Sequence, residues 1–231
     1  MKNCTMLLSL VAMVVLAAGA AAPAALIDLS GQTVTAESEL DTINWNKEHV
    51  FDNDHATRWV GGYAPQNEYP AGTHSRWIYV DLGASYEIDK VEIDMETAAP
   101  GDYTLRVYDG ATAPDPDTDL GSWTTIATIT GRSDAGYGAS PDPVWDETFD
   151  FDAGTHTSHL GTVISASVVS GGGTGNWLLL HSTQSCGNYD ALSLWEMDVT
   201  ATATAVPEPS TLALAAFGLL GLIGFGRRRK R

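Results

Sequence analysis

Ile78-Tyr79-Val80-Asp81-Leu82 and Val91-Glu92-Ile93-Asp94-Met95 alternate apolar and polar residues with a period of two. Successive side chains of a strand point to opposite faces. The pattern therefore sends Ile78, Val80, Leu82, Val91, Ile93 and Met95 inward and turns the acids Glu92 and Asp94 out. Tyr103, Leu105 and Val107 repeat the period, Phe149 and Phe151 do so again, and Trp195, Met197 and Val199 close the series. Between them lie Gly- and Pro-rich stretches at 61–72, 111–122, 131–143 and 171–175. Short runs with such punctuation predict antiparallel strands with one wet face. No helical period appears between the two ends of the chain. The expected fold is all-β, an antiparallel β-sandwich.

The ends read as address labels. Lys2 precedes an apolar run at 6–16, and small residues at 17–25 offer several cleavage bonds, the pattern of a signal peptide over 1–25. Cys4 lies ahead of the apolar run and would leave with it. At the other end Val206-Pro207-Glu208-Pro209-Ser210 is followed by an uninterrupted apolar run at 211–225 and then by Arg227, Arg228, Arg229, Lys230 and Arg231. The run is near the lower limit of roughly 17–25 residues needed for a single transmembrane helix. The basic tail would hold its end in the cytoplasm. Pro-Glu-Pro, one span and a basic terminus, in that order over 207–231, resemble the PEP-CTERM sorting signal. The resemblance implies export, an intermediate in the inner membrane, processing by a membrane-embedded exosortase, and delivery to the cell surface, outer envelope or extracellular matrix. Residues 201–206 read as a flexible linker, which leaves 26–200 as one domain.

Six of the 12 basic residues and one of the 29 acids belong to those ends, so the body carries 28 acids against 6 bases, a formal charge of −22. Such a surface repels nucleic acid and anionic lipid headgroups, and it attracts divalent cations. Cys186 is the one cysteine left after signal removal, so no internal disulfide is available and the core must hold the fold.

Val50-Phe51-Asp52-Asn53-Asp54-His55-Ala56-Thr57-Arg58-Trp59 resembles the early loop of discoidin (coagulation-factor type C) domains. Arg76 to Gly83, the Val91/Ile93 strand, Tyr103 to Gly110 followed by Trp123, and Leu194 to Val199 resemble that family's later strands in order. The resemblance implies a galactose-binding-like jelly roll. It also implies a structural calcium site, with Asp52 and Glu196 giving carboxylates, Asp54 a carbonyl, and Thr57 its hydroxyl and carbonyl. Calcium takes 6–8 hard oxygens, which a tight acidic loop can supply. The competing reading is a loop closed by Asx-turn hydrogen bonds alone. Asn53 stands where the family has Gly, and the 111–122 segment lengthens a normally short turn. Asp115-Pro116-Asp117-Thr118-Asp119 lacks the Gly and Glu of an EF-hand and reads as a solvated loop.

Sugar sites pair an aromatic face with polar groups for hydroxyls. Trp45, Tyr63, Tyr69, Tyr137 and Tyr189 are loop aromatics that fit the first role. His49, His55, Arg58, His74, Arg76 and Asn188 fit the second. Trp59, Trp77, Trp123 and Trp195 occupy positions the resemblance assigns to the core, and Trp177 reads as a strand residue. His156 and His159 have metal-like spacing without a helix or a base between them, and read as a surface loop. No Gly-x-Ser-x-Gly elbow is present. The expected protein is thus a non-enzymatic, extracytoplasmic binder of carbohydrate or exopolysaccharide. The alternatives are a calcium-binding structural protein of a biofilm matrix or envelope, and, third, a secreted polysaccharide hydrolase.

Overall fold

Both alternating stretches fall on a single strand, β4 (Arg76–Met95), which is 20 residues long. The structure is a computed structural model in which residues 22–64, 75–96, 98–132, 146–159, 163, 165–185 and 190–204 are described. The strands before β4 are β1 (Ala25–Leu26), β2 (Val34–Ala36) and β3 (Trp59–Ala64). After it come β5 (Pro100–Tyr108), β6 (Thr124–Thr130), β7 (Glu147–Asp150), β8 (Thr155–Ser158), β9 (Ser165–Val168), β10 (Thr174–Ser185) and β11 (Asp190–Ala203). One curled antiparallel sheet runs β1-β11-β4-β10-β5-β6-β9, with β2 and β7 on β4, β3 on β11 and β8 on β7. The first part of β4 pairs with β10 and β2, Val80 opposite Leu178 and Val34. The second part pairs with β11 and β7, Val91 opposite Val199 and Phe149. One strand thus serves both layers of the sandwich.

Alternation fills the space between the layers. Val80, Leu82, Ile88, Val91, Leu105, Val107, Leu178, Leu180, Leu194 and Val199 meet Trp59, Phe149 and Phe151 in one buried cluster. Each such side chain contributes roughly 1.5–3 kcal/mol on leaving water. The unbroken run Leu178-Leu179-Leu180 has its own reason, because β10 is covered on both sides. Leu179 packs outward with Trp77 and Trp123, beside Tyr79, Tyr108, Trp177 and Leu120. That aromatic layer is roofed by the 111–122 segment. Trp77 Nε1 donates to Asp117 at 3.0 Å, Trp123 Nε1 to the Pro114 carbonyl at 3.2 Å, and Trp177 Nε1 to the Gly110 carbonyl at 2.9 Å. The segment read as a solvated loop is therefore a fitted lid. Its acids stay exposed, but Asp115 caps a one-turn helix, α1 (Pro116–Asp119).

Other expectations change as well. Asp94 does not face solvent; it is buried and bonded to His55 Nδ1 at 3.0 Å. His156 is a β8 residue rather than part of a surface loop. It meets the buried Glu147 carboxylate, which also accepts from Arg132 Nε at 2.8 Å and Ser158 Oγ at 2.7 Å. His159 offers its backbone N–H to the Asp146 carbonyl. Ala25 pairs with Ala201 and β11 continues to Ala203, so the compact unit is Ala22–Ala203. Residues 22–25 of the segment read as signal peptide, and 201–203 of the one read as linker, belong to that unit. Residues 1–21, Cys186, the Pro207-Glu208-Pro209 motif, the apolar run and the basic tail lie outside the described residues. Among the described residues, no helix is long and apolar enough to cross a membrane.

Gly171 and Gly172 form the turn into β10 with φ of 82° and 57°. A Cβ on Gly171 meets nothing within 4 Å, whereas one on Gly172 would lie 2.2 Å from the Ile88 carbonyl oxygen. Gly171→Ala should cost about 1–2 kcal/mol, the left-handed penalty alone, and Gly172→Ala distinctly more. Urea midpoints of the two variants check the order.

Candidate ligand cleft and cation loop

A 3₁₀ turn, Lys47–Phe51, sinks Val50 and Phe51 into the core and delivers the chain to Asp52 at the surface. Asn53 then takes φ 60°, a left-handed conformation that Asn tolerates better than most residues. The loop folds on itself from there. The Asp54 N–H donates to Asp52 Oδ1 at 3.0 Å, and the Ala56 N–H to Asp54 Oδ1 at 3.0 Å. Thr57 Oγ1 lies 2.8 Å from Asp52 Oδ2 and 2.9 Å from the Asp54 carbonyl oxygen. The Asp54 N–H also reaches Glu196 Oε2 on β11, at 3.1 Å across 142 residues of sequence. All four residues expected at a metal site are therefore brought together, in a loop that Asx-turn hydrogen bonds also close.

Glu196 is 1 % exposed. Its partners are two backbone N–H groups, of Asp54 and Met197, at 3.1 and 3.3 Å. Burial, with the charges of Asp52 and Asp198 added, pushes its pKa up to about 8. Asp146 is pushed up to about 7, by burial and then by Asp94. Asp198 is raised too, by burial and by Glu92. Among the described residues no three His, Cys, Asp or Glu side chains converge as a ready cage. The site offers the Asp52 and Glu196 carboxylates, the Thr57 hydroxyl and the Asp54 carbonyl, while the Asp54 carboxylate accepts the Ala56 N–H.

Beside the loop lies a cleft of about 290 Å³ lined by Asn44, Trp45, Ala56, Thr57, Arg58 and Trp195. The Arg58 guanidinium stands between two indoles, 5.5 Å from the Trp45 ring centre and 5.2 Å from that of Trp195. Its Nη1 donates to Glu96 Oε1 at 2.7 Å, which fixes one edge of the fork. Trp195 is half-buried here and not a core residue. Leu194 faces Met95 and Glu196 faces Asp94, so Trp195 is the extra residue of a β-bulge. A bulge re-aims its side chain, and the alternation that placed Trp195 with Met197 and Val199 breaks at that point.

The other expected ligand residues divide. Trp45 and Arg58 are in the cleft. His49 Nδ1 sits 3.2 Å from the Arg58 carbonyl and supports the cleft from behind. His55 is taken by Asp94. Arg76 pairs with Glu37 at 2.9 Å and is not among the cleft residues. The Tyr63 side chain, Tyr69, His74, Tyr137, Asn188 and Tyr189 lie outside what is described. Sequence reading missed Asn44, Glu96 and the role of Trp195; the bulge left no local signal.

Comparison with known proteins agrees with both resemblances. Residues 49–142 match the F5/F8 type C family, described as a NedA-like, galactose-binding domain, and residues 205–230 match the PEP-CTERM protein-sorting motif. The chain thus carries a galactose-binding-like domain and a PEP-CTERM sorting motif. No curated protein matches it. A similar solved structure is chitosan-binding module 1 of a chitosanase/glucanase from Paenibacillus sp. IK-5, with 24% identity, TM-score 0.49, and coverage of 76% of this chain and 98% of that one. Another is the family 32 carbohydrate-binding module of C. perfringens NanJ in complex with galactose, with 13% identity, TM-score 0.48, and coverage of 77% and 99%.

Glu196 and Asp146 both have folded pKa values above their ordinary ones, so folding favours their protonated forms. Their contribution is complete below about pH 4 and is lost as pH rises through about 8. In chelator-treated protein the melting temperature should fall from about pH 5 to about pH 9. Glu196→Gln should remove the upper part of that fall and leave the part due to Asp146.

Proposed function

We propose that this chain is a non-catalytic glycan-binding protein, exported and sorted to the cell surface through its C-terminal motif. The observation that carries the reading is the Trp45–Arg58–Trp195 cleft on a galactose-binding-like domain. An indole face accepts the C–H side of a pyranose, and the free edge of a guanidinium donates to its hydroxyls. Glu96 restrains Arg58, so less side-chain entropy is lost on binding. The cleft volume is at the small end of ligand pockets, which start at about 300 Å³. The −22 body argues for a neutral or basic glycan over a polyanion. An exopolysaccharide of the cell surface or biofilm matrix fits that description.

Calcium belongs to the same proposal. Asp52, Thr57, the Asp54 carbonyl and Glu196 would hold it, and it would supply the positive charge that a buried carboxylate facing Asp52 lacks. In transit, a signal peptide ending before Ala25 would direct export. The 211–225 run would halt in the inner membrane with Arg227 to Arg231 inside. Exosortase would then act near Pro207-Glu208-Pro209.

A glycan array that includes galactose-terminated oligosaccharides tests the binding claim. Trp45→Ala, Arg58→Ala and Trp195→Ala should each weaken the best hit at least about tenfold, roughly 1.4 kcal/mol, with unchanged circular dichroism. Binding to no arrayed glycan would sink the reading. Calcium-driven assembly without sugar affinity would favour a structural matrix protein instead. Separately, calcium at about 100 times its Kd should stabilise the domain by about 2.7 kcal/mol. Asp52→Asn or Glu196→Gln should abolish that increment, read as the rise in melting temperature.

A further inference from the structure

Two surfaces that differ in chemistry share their backbone at two points. Thr57 belongs to the acidic loop and also lines the cleft, and the next residue, Arg58, is the cleft's guanidinium. Trp195 is a wall of the cleft, and the next residue, Glu196, anchors the loop through the Asp54 N–H. The bulge makes the second juxtaposition possible. It puts Trp195 out of the ladder while Glu196 returns to pairing with Asp94. Adjacent Cα atoms are about 3.8 Å apart, so a backbone shift that carries Thr57 or Glu196 toward a cation also carries Arg58 or Trp195.

The cleft side carries its own sign of an unfinished arrangement. Trp195 Nε1 is shielded from solvent and has no hydrogen-bond partner among the described residues. A buried donor left unmade is costly, so a modest rotation of the indole that satisfies it is favourable. Arg58 is tied the same way, through Glu96, whose backbone N–H donates to the Ser193 carbonyl of β11 at 3.3 Å. Both walls of the cleft therefore hang on the two segments that the loop joins.

We infer that a divalent cation in the Asp52–Glu196 loop sets the pose of Trp195 and Arg58, so that cation and cleft ligand bind with a shared coupling free energy. The inference rests on the calcium reading given above and adds regulation of the cleft to it. Reciprocity is then obligatory: whatever factor calcium contributes to ligand affinity, the ligand returns to calcium. Extracellular calcium would tune how firmly the protein holds its glycan.

The test needs no glycan. Calcium chloride is titrated into the full chain, kept in detergent, by calorimetry and in parallel by the ¹⁵N-indole resonances, with Trp195→Phe giving the assignment. The Trp195 and Trp45 indole signals should shift saturably with the calorimetric midpoint, while Trp123, bonded to Pro114 beneath its lid, stays put. Glu196→Gln should lose both heat and shift, and Asp52→Asn serves as the second variant if that one does not fold. Binding heat with motionless Trp45 and Trp195 signals would overturn the coupling and leave the calcium site standing. No heat at all would remove both.

Discussion

The 3.1 Å hydrogen bond from the Asp54 amide to Glu196 holds the acidic loop and the cleft beside it together. It joins an early surface loop to the last long strand and brings residues 142 positions apart into one construction. A carboxylate in that place is costly to bury, and its neighbours Asp52 and Asp198 have its own sign. Two backbone N–H groups offset part of the cost, and retention of a proton up to about pH 8 offsets more. Glu196 is thus one of several acids that the fold buries, with Asp94, Asp146 and Glu147, and it is the one set against the surface loop.

The sandwich beneath explains why that construction can be rigid. β4 serves both layers, and β11 pairs with it through its second part. At the Leu194/Glu196 bulge one residue of β11 drops out of the ladder with β4. The protein places an indole there. The 111–122 lid covers Trp77, Trp123 and Leu179 and closes the outer face of β10, whereas Trp45 and Trp195 line an open cleft beside the loop.

How much of this was readable varies with the kind of signal. Ile78, Val80, Leu82, Val91 and Ile93 are inside because alternation states which face a residue occupies, and the ladder honours it. Asp94 broke the same rule, since His55 supplies it with a partner and acidity alone does not forbid burial. Asp52, Asp54, Thr57 and Glu196 were recognisable from a family pattern, though no spacing within the sequence joins residue 196 to residue 52. Asp117 looked like one acid in a solvated run, and only its bond to the Trp77 indole gives it a structural task.

Residue order was sufficient for the strand-forming segments, the C-terminal sorting motif, the acidic character and the tight loop around Asn53, because those properties depend on local periodicity and composition. Of the cleft it singled out Trp45 and Arg58 but not Trp195. Trp195 follows the core alternation on paper, and one unpaired residue in β11 reverses its direction. Arg58 gains its aromatic walls from Trp45, a loop residue, and from Trp195, and its restraint from Glu96. Such a site exists only when distant strands pair in a particular register, and register is a collective outcome of the whole sheet.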